Sequence, residues 1–307
     1  MKILVLGSKG MVGSSVVRKL NLIDEYQIIE SSRKDTNLFS IEETQSLFNK
    51  IRPNVIVNAA AKVGGIMAND TQRTEFILNN LKINMNIIES LIGLPNIRLI
   101  NLGSSCIYPL GAKMPIKESA LMTGPLEPTN SPYAMAKLAA IEMGDAISKE
   151  YGNNVINLMP TNLYGPYDNF SENDSHVIPG LISRMHQAKE LNSELFSVWG
   201  SGNPLREFLH VNDLAESISF IISNDIRDGL FNIGSGVEIS IKELVHKIKK
   251  VVGFQGDILF DTTKPDGNPR KLLDSSKISE LGWTASIDLD TGLKDAYRWF
   301  LKSISLD

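Results

Sequence analysis

Three glycines near the amino terminus constrain the fold of this chain more than any other feature of its sequence. Gly7, Gly10 and Gly13 stand three residues apart, directly after the apolar run 3–6 and at the start of a helical pattern from 11 to 20. Glycine tolerates positive φ and lets backbones approach closely, and a helix N-terminus attracts phosphate. The segment therefore predicts a strand, a tight turn and a helix that hold the pyrophosphate of a dinucleotide.

The same order of strand and helix recurs through the first half of the chain. Short apolar runs alternate with longer stretches whose apolar residues return at helical spacing. The strand-like runs are 26–31, 53–61, 97–105 and 154–166, and the helical stretches are 41–51, 74–92 and 131–151. This alternation predicts an α/β fold, a Rossmann-type doubly wound parallel sheet covered by helices on both faces.

The alternation loosens after Tyr164, where stretches bearing Asn and Pro appear, such as 168–180 and 262–274. We therefore expect a second, smaller α/β lobe that binds substrate. The predicted dinucleotide-binding domain comprises residues 1–163 plus about 205–235, and the predicted substrate-binding domain comprises about 164–204 plus 236–307.

Composition argues against several classes of protein. The 307 residues carry a formal net charge of −4, which leaves no broad basic surface for nucleic acid or an anionic membrane. No apolar run has the length of a membrane span or a signal peptide, so we expect a cytoplasmic protein. The one cysteine cannot form an internal disulfide, and the four histidines lack metal-ligand spacing, so no metal is expected.

Tyr133 and Lys137 carry the strongest chemical signal. They stand four residues apart in a helical stretch, so their side chains share one face. An ammonium beside a phenol favours the phenolate, which is expected to lower the pKa of the tyrosine and suit it to proton exchange with a carbonyl oxygen. Ser104 or Ser105, after the fourth predicted strand, can donate to the same oxygen. In an arbitrary protein, such a Tyr–Lys pair would be ordinary helix surface. In a chain that begins with a nucleotide-binding loop, the pair favours catalysis.

The residues alone do not decide whether the cofactor is NAD or NADP. Glu30, at the end of the second predicted strand, suits a free 2'-hydroxyl and hence NAD. Ser31, Ser32, Arg33 and Lys9 suit a 2'-phosphate and hence NADP.

Together with Asn58-Ala59-Ala60-Ala61, these motifs resemble the extended short-chain dehydrogenase/reductases. More specific stretches, spread from residue 3 to about 301, resemble one branch of them, the GDP-L-fucose synthase family. Those stretches are AAAKVGGIMAN, LGSSCIYP, LEPTNSPYAMAK, PTNLYGPYDNF, SHVIP, VWGSGNPLREFLHV and KPDGNPRKLLD.

The resemblance implies epimerisation at C3 and C5 of GDP-4-keto-6-deoxy-D-mannose, then reduction at C4 by NADPH. It implies a catalytic set of Ser104, Tyr133 and Lys137 at the ketone oxygen, with Cys106 and His176 exchanging protons at the adjacent carbons. A thiol and an imidazole can each act as acid or base near neutral pH. Without the family, Cys106 would be read as a small buried hydrophobe and His176 as a loop residue bonded to backbone.

Binding residues and assembly are implied in the same way. A homodimer would be built on helices next to the Tyr133 helix. Glu30 and Ser31 depart from the family pattern of an apolar residue and an arginine, yet NADP (NADPH) remains the expected cofactor. The expected cofactor contacts are Gly7, Ser8, Lys9, Gly10, Met11, Val12, Gly13, Ser32, Arg33, Leu38, Ala60, Ala61, Leu102, Gly103, Tyr133, Lys137, Pro160, Thr161, Asn162, Leu163 and His176. The expected contacts of a GDP-linked 4-keto-6-deoxy sugar are Ser104, Ser105, Cys106, Asn162, Arg184, Trp199, Arg206, Lys264 and Asp266.

Other functions make different demands on the same positions. A 4,6-dehydratase would carry an acidic pair where Cys106 and Ile107 stand, and a UDP-galactose-type 4-epimerase needs no Cys and His beside the ketone. Enzymes for other GDP-4-keto-deoxy sugars, of the colitose or 6-deoxy-heptose type, share most of the motifs. A non-catalytic nicotinamide-binding sensor would need none of the catalytic set.

Overall fold

The computed structural model of the chain describes residues 1–171 and 174–305. Strand and helix alternate regularly up to β5 and less regularly afterwards. The strands are β1 (Lys2–Leu6), β2 (Gln27–Ser31), β3 (Val55–Asn58), β4 (Arg98–Leu102), β5 (Asn154–Pro160), β6 (Asn162–Tyr164), β7 (Leu195–Trp199), β8 (Leu205–His210), β9 (Gly229–Ile233), β10 (Glu238–Ser240), β11 (Asp257–Asp261) and β12 (Arg270–Lys271). The α-helices are α1 (Met11–Leu20), α2 (Ile41–Ile51), α3 (Ile66–Thr71), α4 (Arg73–Glu89), α5 (Ser131–Tyr151), α6 (Val177–Glu190), α7 (Val211–Ser223), α8 (Ile241–Val252), α9 (Ser276–Ser279) and α10 (Leu289–Ile304).

A six-stranded parallel sheet forms the centre of the molecule, in the order β2-β1-β3-β4-β5-β9. The predicted doubly wound α/β fold is therefore confirmed. The chain passes from β1 to β2 on one side and then to β3 on the other, so the winding direction reverses between β1 and β3. Such a reversal opens a crevice at the carboxyl ends of the two strands, where open α/β sheets bind ligands.

Local sequence signals account for the ends of two helices. The Ser40 side chain caps α2 by accepting a hydrogen bond from the Glu43 N–H, and α5 has Pro132 in its first turn. Gly152, with φ of 73°, ends α5 in the left-handed conformation that glycine adopts easily. Both helices coincide with their predicted ranges, whereas α4 is shorter than the predicted 74–92.

Alternate residues of the central strands face two separate apolar cores. On β1, Ile3 and Val5 belong to the core that includes apolar side chains of α1 and α7. Leu4 and Leu6 belong to the core that includes apolar side chains of α2, α4 and α5. The sheet is thus covered on both faces, which explains why its strands read as continuous apolar runs.

The second half of the chain builds smaller sheets. β8 pairs with β6, β10 and β12, and β7 pairs with β11. Their core includes apolar side chains of α6, α8 and α10. α7 packs on α1 and β9 completes the central sheet. We propose the division into two lobes near the predicted boundaries, with β8 where the lobes meet. Across the described residues, no helix has the length and apolar character that a membrane span requires.

Candidate active site

The β1–α1 turn is shaped by close backbone approach. Gly7 has φ of 74°, and its N–H donates to the Ser31 carbonyl at 2.9 Å. A Cβ on Gly7 would lie 2.8 Å from the Ala59 carbonyl oxygen, and a Cβ on Gly13 would overlap the Gly7 carbonyl group. Glycine is therefore required at both positions, which brings the turn against the end of β3 and the helix against the turn.

The same turn carries hydrogen-bond donors that have no partner in the described part of the protein. The Ser8 side chain is buried, and its hydroxyl has no hydrogen-bond partner among the described residues. Gly10 precedes α1 without a side-chain cap, so the first N–H groups of that helix remain available. Uncapped N–H groups and a buried free hydroxyl suit a dinucleotide diphosphate.

Two carboxylates lie beside the residues expected to contact the ribose of the cofactor. The Lys9 Nζ lies 2.6 Å from a Glu30 carboxylate oxygen, and this hydrogen bond raises the pKa of the exposed Lys9. The Ser32 hydroxyl donates to Asp35 at 2.6 Å, which lowers the pKa of that carboxyl. Arg33 is exposed beside them. Two of the groups expected to hold a 2'-phosphate are thus engaged by acidic side chains.

The other expected cofactor residues lie at the carboxyl ends of the central strands and at the start of α1. Leu38 lies apart from them, before α2, where its carbonyl accepts a hydrogen bond of 2.9 Å from the Asn86 side chain. Leu163 lies in β6, outside the central sheet. The residues at the central strand ends or in α1 are Met11, Val12, Ala60, Ala61, Leu102, Gly103, Pro160 and Thr161.

Ser104 connects the strand-end serines to the Tyr133 helix. Its hydroxyl oxygen accepts a hydrogen bond of 3.2 Å from the Cys106 N–H and is also hydrogen-bonded to the Tyr133 phenol. Ser105 is almost wholly buried and begins the short 3-10 helix Ser105–Ile107. Of the two candidate serines, Ser104 therefore has the contact to the tyrosine.

The ammonium of Lys137 and the phenol of Tyr133 are arranged differently from the sequence prediction. Lys137 is buried, its Nζ donates to the Leu102 carbonyl at 2.7 Å, and it lies 5.7 Å from the Tyr133 ring centroid. Burial lowers the pKa of Lys137 to about 8. Burial raises the pKa of Tyr133, and Cys106 adds to the rise, while Ser104 opposes it. The expected lowering of the tyrosine pKa was wrong here, because the phenol is buried and desolvation disfavours the phenolate.

Cys106 lies between Ser104 and a lysine from the C-terminal part of the chain. Its sulfur accepts a contact of 3.7 Å from Lys271 Nζ, and the thiol is half-buried. The sequence prediction missed Lys271, although it belongs to the KPDGNPRKLLD stretch in which Lys264 and Asp266 were singled out.

His176 lies on a different segment from Cys106. It directly precedes α6 and hydrogen-bonds the Gly64 backbone. A Cβ on Gly64 would lie 3.2 Å from Phe76, whose ring meets the Tyr133 ring edge-on with centroids 6.2 Å apart. His176 is solvent-exposed on one side, and the protein atoms that surround the rest lower the pKa of its imidazole. The structure thus links His176 to Tyr133 through two intervening residues.

A basic and aromatic cluster lies beyond Cys106. Lys264 Nζ lies 5.8 Å from the centroid of the exposed Trp199 ring, and Asp266 accepts two hydrogen bonds from Ser201. Burial lowers the pKa of Arg206, against the attraction of Asp266. A guanidinium and an ammonium beside an open indole suit a nucleoside diphosphate.

Arg184 lies further along the same lobe. Its guanidinium carbon is 5.4 Å from the centroid of Phe196 on β7, the strand that ends at Trp199. Phe196 is buried and lies on the face of β7 opposite the exposed Trp199, so this contact does not bring Arg184 to the basic and aromatic cluster.

A buried carboxylate, Glu207, supports this region and was also missed by the sequence prediction. Its two oxygens accept hydrogen bonds from the N–H groups of Gly236, at 2.8 Å, and Leu273, at 3.1 Å. Its carbonyl accepts from the Asn162 side chain at 2.8 Å. Burial raises the pKa of Glu207. It ties together the segments that carry Asn162, Arg206 and Lys271.

Comparison with known proteins agrees with this geometry. The model of the NAD dependent epimerase/dehydratase family matches residues 3–234. A putative GDP-L-fucose synthase 2 of Arabidopsis thaliana is 49% identical, over 99% of this chain and 92% of its own length. The GDP-L-fucose synthase of Escherichia coli is 43% identical, over 98% of this chain and 97% of its own. The crystal structure of a GDP-D-glycero-L-gluco-heptose synthase from Campylobacter jejuni, in the presence of NADPH, aligns with a TM-score of 0.90 at 31% identity, covering 98% of both chains.

Proposed function

The chain belongs to the NAD dependent epimerase/dehydratase family, and we propose that within it the chain catalyses the GDP-L-fucose synthase reaction. GDP-4-keto-6-deoxy-D-mannose is epimerised at C3 and C5, and the ketone at C4 is then reduced by NADPH. One observation carries the proposal: a hydroxyl, a phenol and a thiol meet at the end of β4, because Ser104 contacts both Tyr133 and Cys106.

Hydrogens on carbons beside a ketone become acidic only when the enolate oxygen is stabilised. Ser104 and Tyr133 are placed to donate hydrogen bonds to that oxygen. The raised pKa of Tyr133 keeps the phenol protonated at neutral pH, which suits a donor.

Inverting a carbon requires removing its proton from one face and returning a proton to the other. Cys106 and His176 lie on different segments, after β4 and before α6, and Cys106 is close enough to Tyr133 to raise the pKa of the phenol. The lowered pKa of His176 makes its neutral form prevalent at pH 7, so it can accept a proton and return it. We propose that these two residues exchange the protons at C3 and C5.

The cofactor site is proposed at the β1–β3 crevice, with Gly7, Ser8 and the start of α1 holding the diphosphate and Lys137 beside the catalytic tyrosine. When bound, NADPH supplies the hydride for C4. Tyr133 then gives its proton to O4. Lys137, bonded to the Leu102 carbonyl and buried, has a pKa of about 8, so it can return a proton to the tyrosine near neutral pH.

The GDP portion is proposed to lie along the second lobe. Arg206 would pair with the diphosphate, while Trp199 and Lys264 would contact the nucleoside. Arg184, Asp266, Asn162 and Ser105 complete the proposed set of substrate-side residues, the last two on the sugar side.

Exposed apolar side chains favour a homodimer. Leu78 and Met85 on α4 and Met135 on α5 are each about half exposed, at 47%, 47% and 48%. α4 and α5 pack side by side, so a second copy would meet a two-helix face. The proposed face thus includes the Tyr133 helix itself, α5, together with its neighbour α4. We propose a cytoplasmic homodimer, in keeping with a soluble nucleotide-sugar substrate.

The proposal is tested by incubating the protein with GDP-4-keto-6-deoxy-D-mannose and either NADPH or NADH. NMR and mass analysis of the product should show GDP-L-fucose, with NADPH consumed in equal amount. A product reduced at C4 but unchanged at C3 and C5 would favour a reductase for another GDP-4-keto sugar. Tight NADPH binding without turnover would favour a non-catalytic sensor.

A further inference from the structure

Lys271 contacts the Cys106 sulfur from a distant part of the chain. Its Nζ lies 3.7 Å from Cys106 Sγ, although the two residues are 165 positions apart in sequence. Among residues 1–171 and 174–305, Lys271 makes no ion pair with a carboxylate, whereas its neighbour Arg270 pairs with Glu238 at 2.6 Å. The Lys271 ammonium is therefore free to act on the sulfur.

The segment that carries Lys271 is fixed at several points. Lys271 pairs in register with Arg206, through β12 and β8. The Leu272 carbonyl accepts a hydrogen bond of 2.8 Å from the Ile116 N–H, and the Leu273 N–H donates to buried Glu207 at 3.1 Å. A strand pairing, a backbone bond and a buried carboxylate thus hold the ammonium beside the thiol.

We propose that Lys271 is a positioning residue for Cys106, whose thiolate it stabilises at the site; this role rests on the proposed function. A cation within hydrogen-bond distance favours the charged form of a sulfur. The thiolate then takes a proton from a carbon beside the ketone, the C–H electrons pass to the enolate, and the sulfur becomes a thiol. The lysine keeps its own proton throughout, and the thiol later returns its proton to the sugar or to solvent.

A different role for Lys271 makes a separable prediction. Register pairing places Lys271 beside Arg206, and paired residues of adjacent strands direct their side chains to the same face of a sheet. If Lys271 only bound the diphosphate, replacing it would raise KM and leave the reactivity of the Cys106 thiol unchanged. A lysine that acts on Cys106 changes the chemistry of the thiol even without substrate.

Alkylation of the protein alone separates these roles, because the chain contains one cysteine and the modification reports on that sulfur only. We expect iodoacetamide to react with Lys271→Met about tenfold more slowly than with wild type at pH 7, since loss of a neighbouring cation lowers the thiolate fraction. Lys271→Arg should react nearly as fast as wild type. Arg270→Met, a change on the same strand, is the matched control and should leave the rate unchanged.

A rate for Lys271→Met within twofold of wild type would overturn the proposal. Circular dichroism and thermal melting establish that each variant is folded; if Lys271→Met is not, Lys271→Gln takes its place with the same threshold. In heavy water with NADPH omitted, deuterium exchange into the 4-keto sugar should fall at least tenfold in Lys271→Met, with KM little changed. If wild type exchanges no deuterium, the proposed function fails, while the alkylation rates still decide whether Lys271 acts on Cys106.

Discussion

The Cys106 N–H donates a hydrogen bond of 3.2 Å to the Ser104 hydroxyl oxygen. The residue proposed to move protons is thereby fixed to the residue proposed to polarise the ketone. Because Ser104 also meets the Tyr133 phenol, a ketone oxygen held between serine and tyrosine would have its neighbouring carbons close to the sulfur. The predictions below test this arrangement and the parts of the fold that support it.

Replacing Tyr133 by Phe removes the proposed proton donor to O4. We expect Tyr133→Phe to lower kcat for reduction by about 10² to 10⁴, with affinity for NADPH nearly unchanged. Steady-state kinetics and a fluorescence titration of NADPH measure the two effects. Tyr151→Phe, at the exposed end of the same helix, serves as the control and should retain full activity. Near-normal turnover of Tyr133→Phe would refute the role.

Cys106 and His176 are expected to act at different steps of proton exchange. Cys106→Ser and His176→Gln should each reduce deuterium incorporation at C3 or C5 by about tenfold or more, since each removes one exchanging group. NMR of the recovered sugar identifies the carbon that loses its label. His246→Gln, on the exposed surface of α8, is the matched control. Unchanged labelling in Cys106→Ser would mean that the thiol only fills space.

The ion pair between Lys9 and Glu30 bears on the choice of cofactor. The Glu30 carboxylate is placed to repel a 2'-phosphate, and it also engages the Lys9 ammonium. We expect Glu30→Gln to raise the ratio of kcat/KM for NADPH over NADH by about tenfold, and Lys9→Met to lower it. Lys50→Met, in the last turn of α2, controls for the loss of one positive charge. A ratio unaffected by both changes would place the 2'-phosphate elsewhere.

Asp168 should make stability depend on pH. Its Oδ2 is buried without a partner among the described residues, and burial raises its pKa from 3.8 to about 7. Because the folded-state pKa exceeds the unfolded one, this group favours folding at acid pH, and its contribution is lost as pH rises through about 7. Asp168→Asn should therefore stabilise the protein by about 1 to 3 kcal/mol near pH 8.5.

Chemical denaturation at two pH values checks this expectation. The advantage of Asp168→Asn should shrink toward about pH 5, where the native carboxyl is largely protonated. Asp228→Asn, an exposed residue, should show no such trend. An equal effect of Asp168→Asn at both pH values would show that its carboxyl does not titrate between them.

The elements predicted best from sequence are those whose signals are local. α5 coincides with its predicted range because a proline in its first turn and Gly152 after its last mark both ends. The Gly7 turn follows equally from residues close in sequence. The loosened pattern after Tyr164 predicted a second lobe, but its strand pairing joins segments far apart in the chain, which no local pattern specifies.

Contacts that depend on tertiary structure were missed. Lys271 reaches Cys106 only because β12 pairs with β8, and burial reversed the expected direction of the Tyr133 pKa shift. A buried row of asparagines was overlooked too: Asn58 donates to Asn101 at 3.0 Å, and Asn101 donates to Asn157 at 3.2 Å, across three neighbouring strands. The repeated asparagine after at least two apolar residues, in VIVN, RLIN and NVIN, was the available signal.

The central claim is that a polarised ketone exchanges protons at its two neighbouring carbons before reduction. Its most direct test is conversion of GDP-4-keto-6-deoxy-D-mannose with NADPH in heavy water, followed by NMR of the product. The account predicts GDP-L-fucose with deuterium at both C3 and C5. A reduced product that keeps hydrogen at both carbons would contradict it.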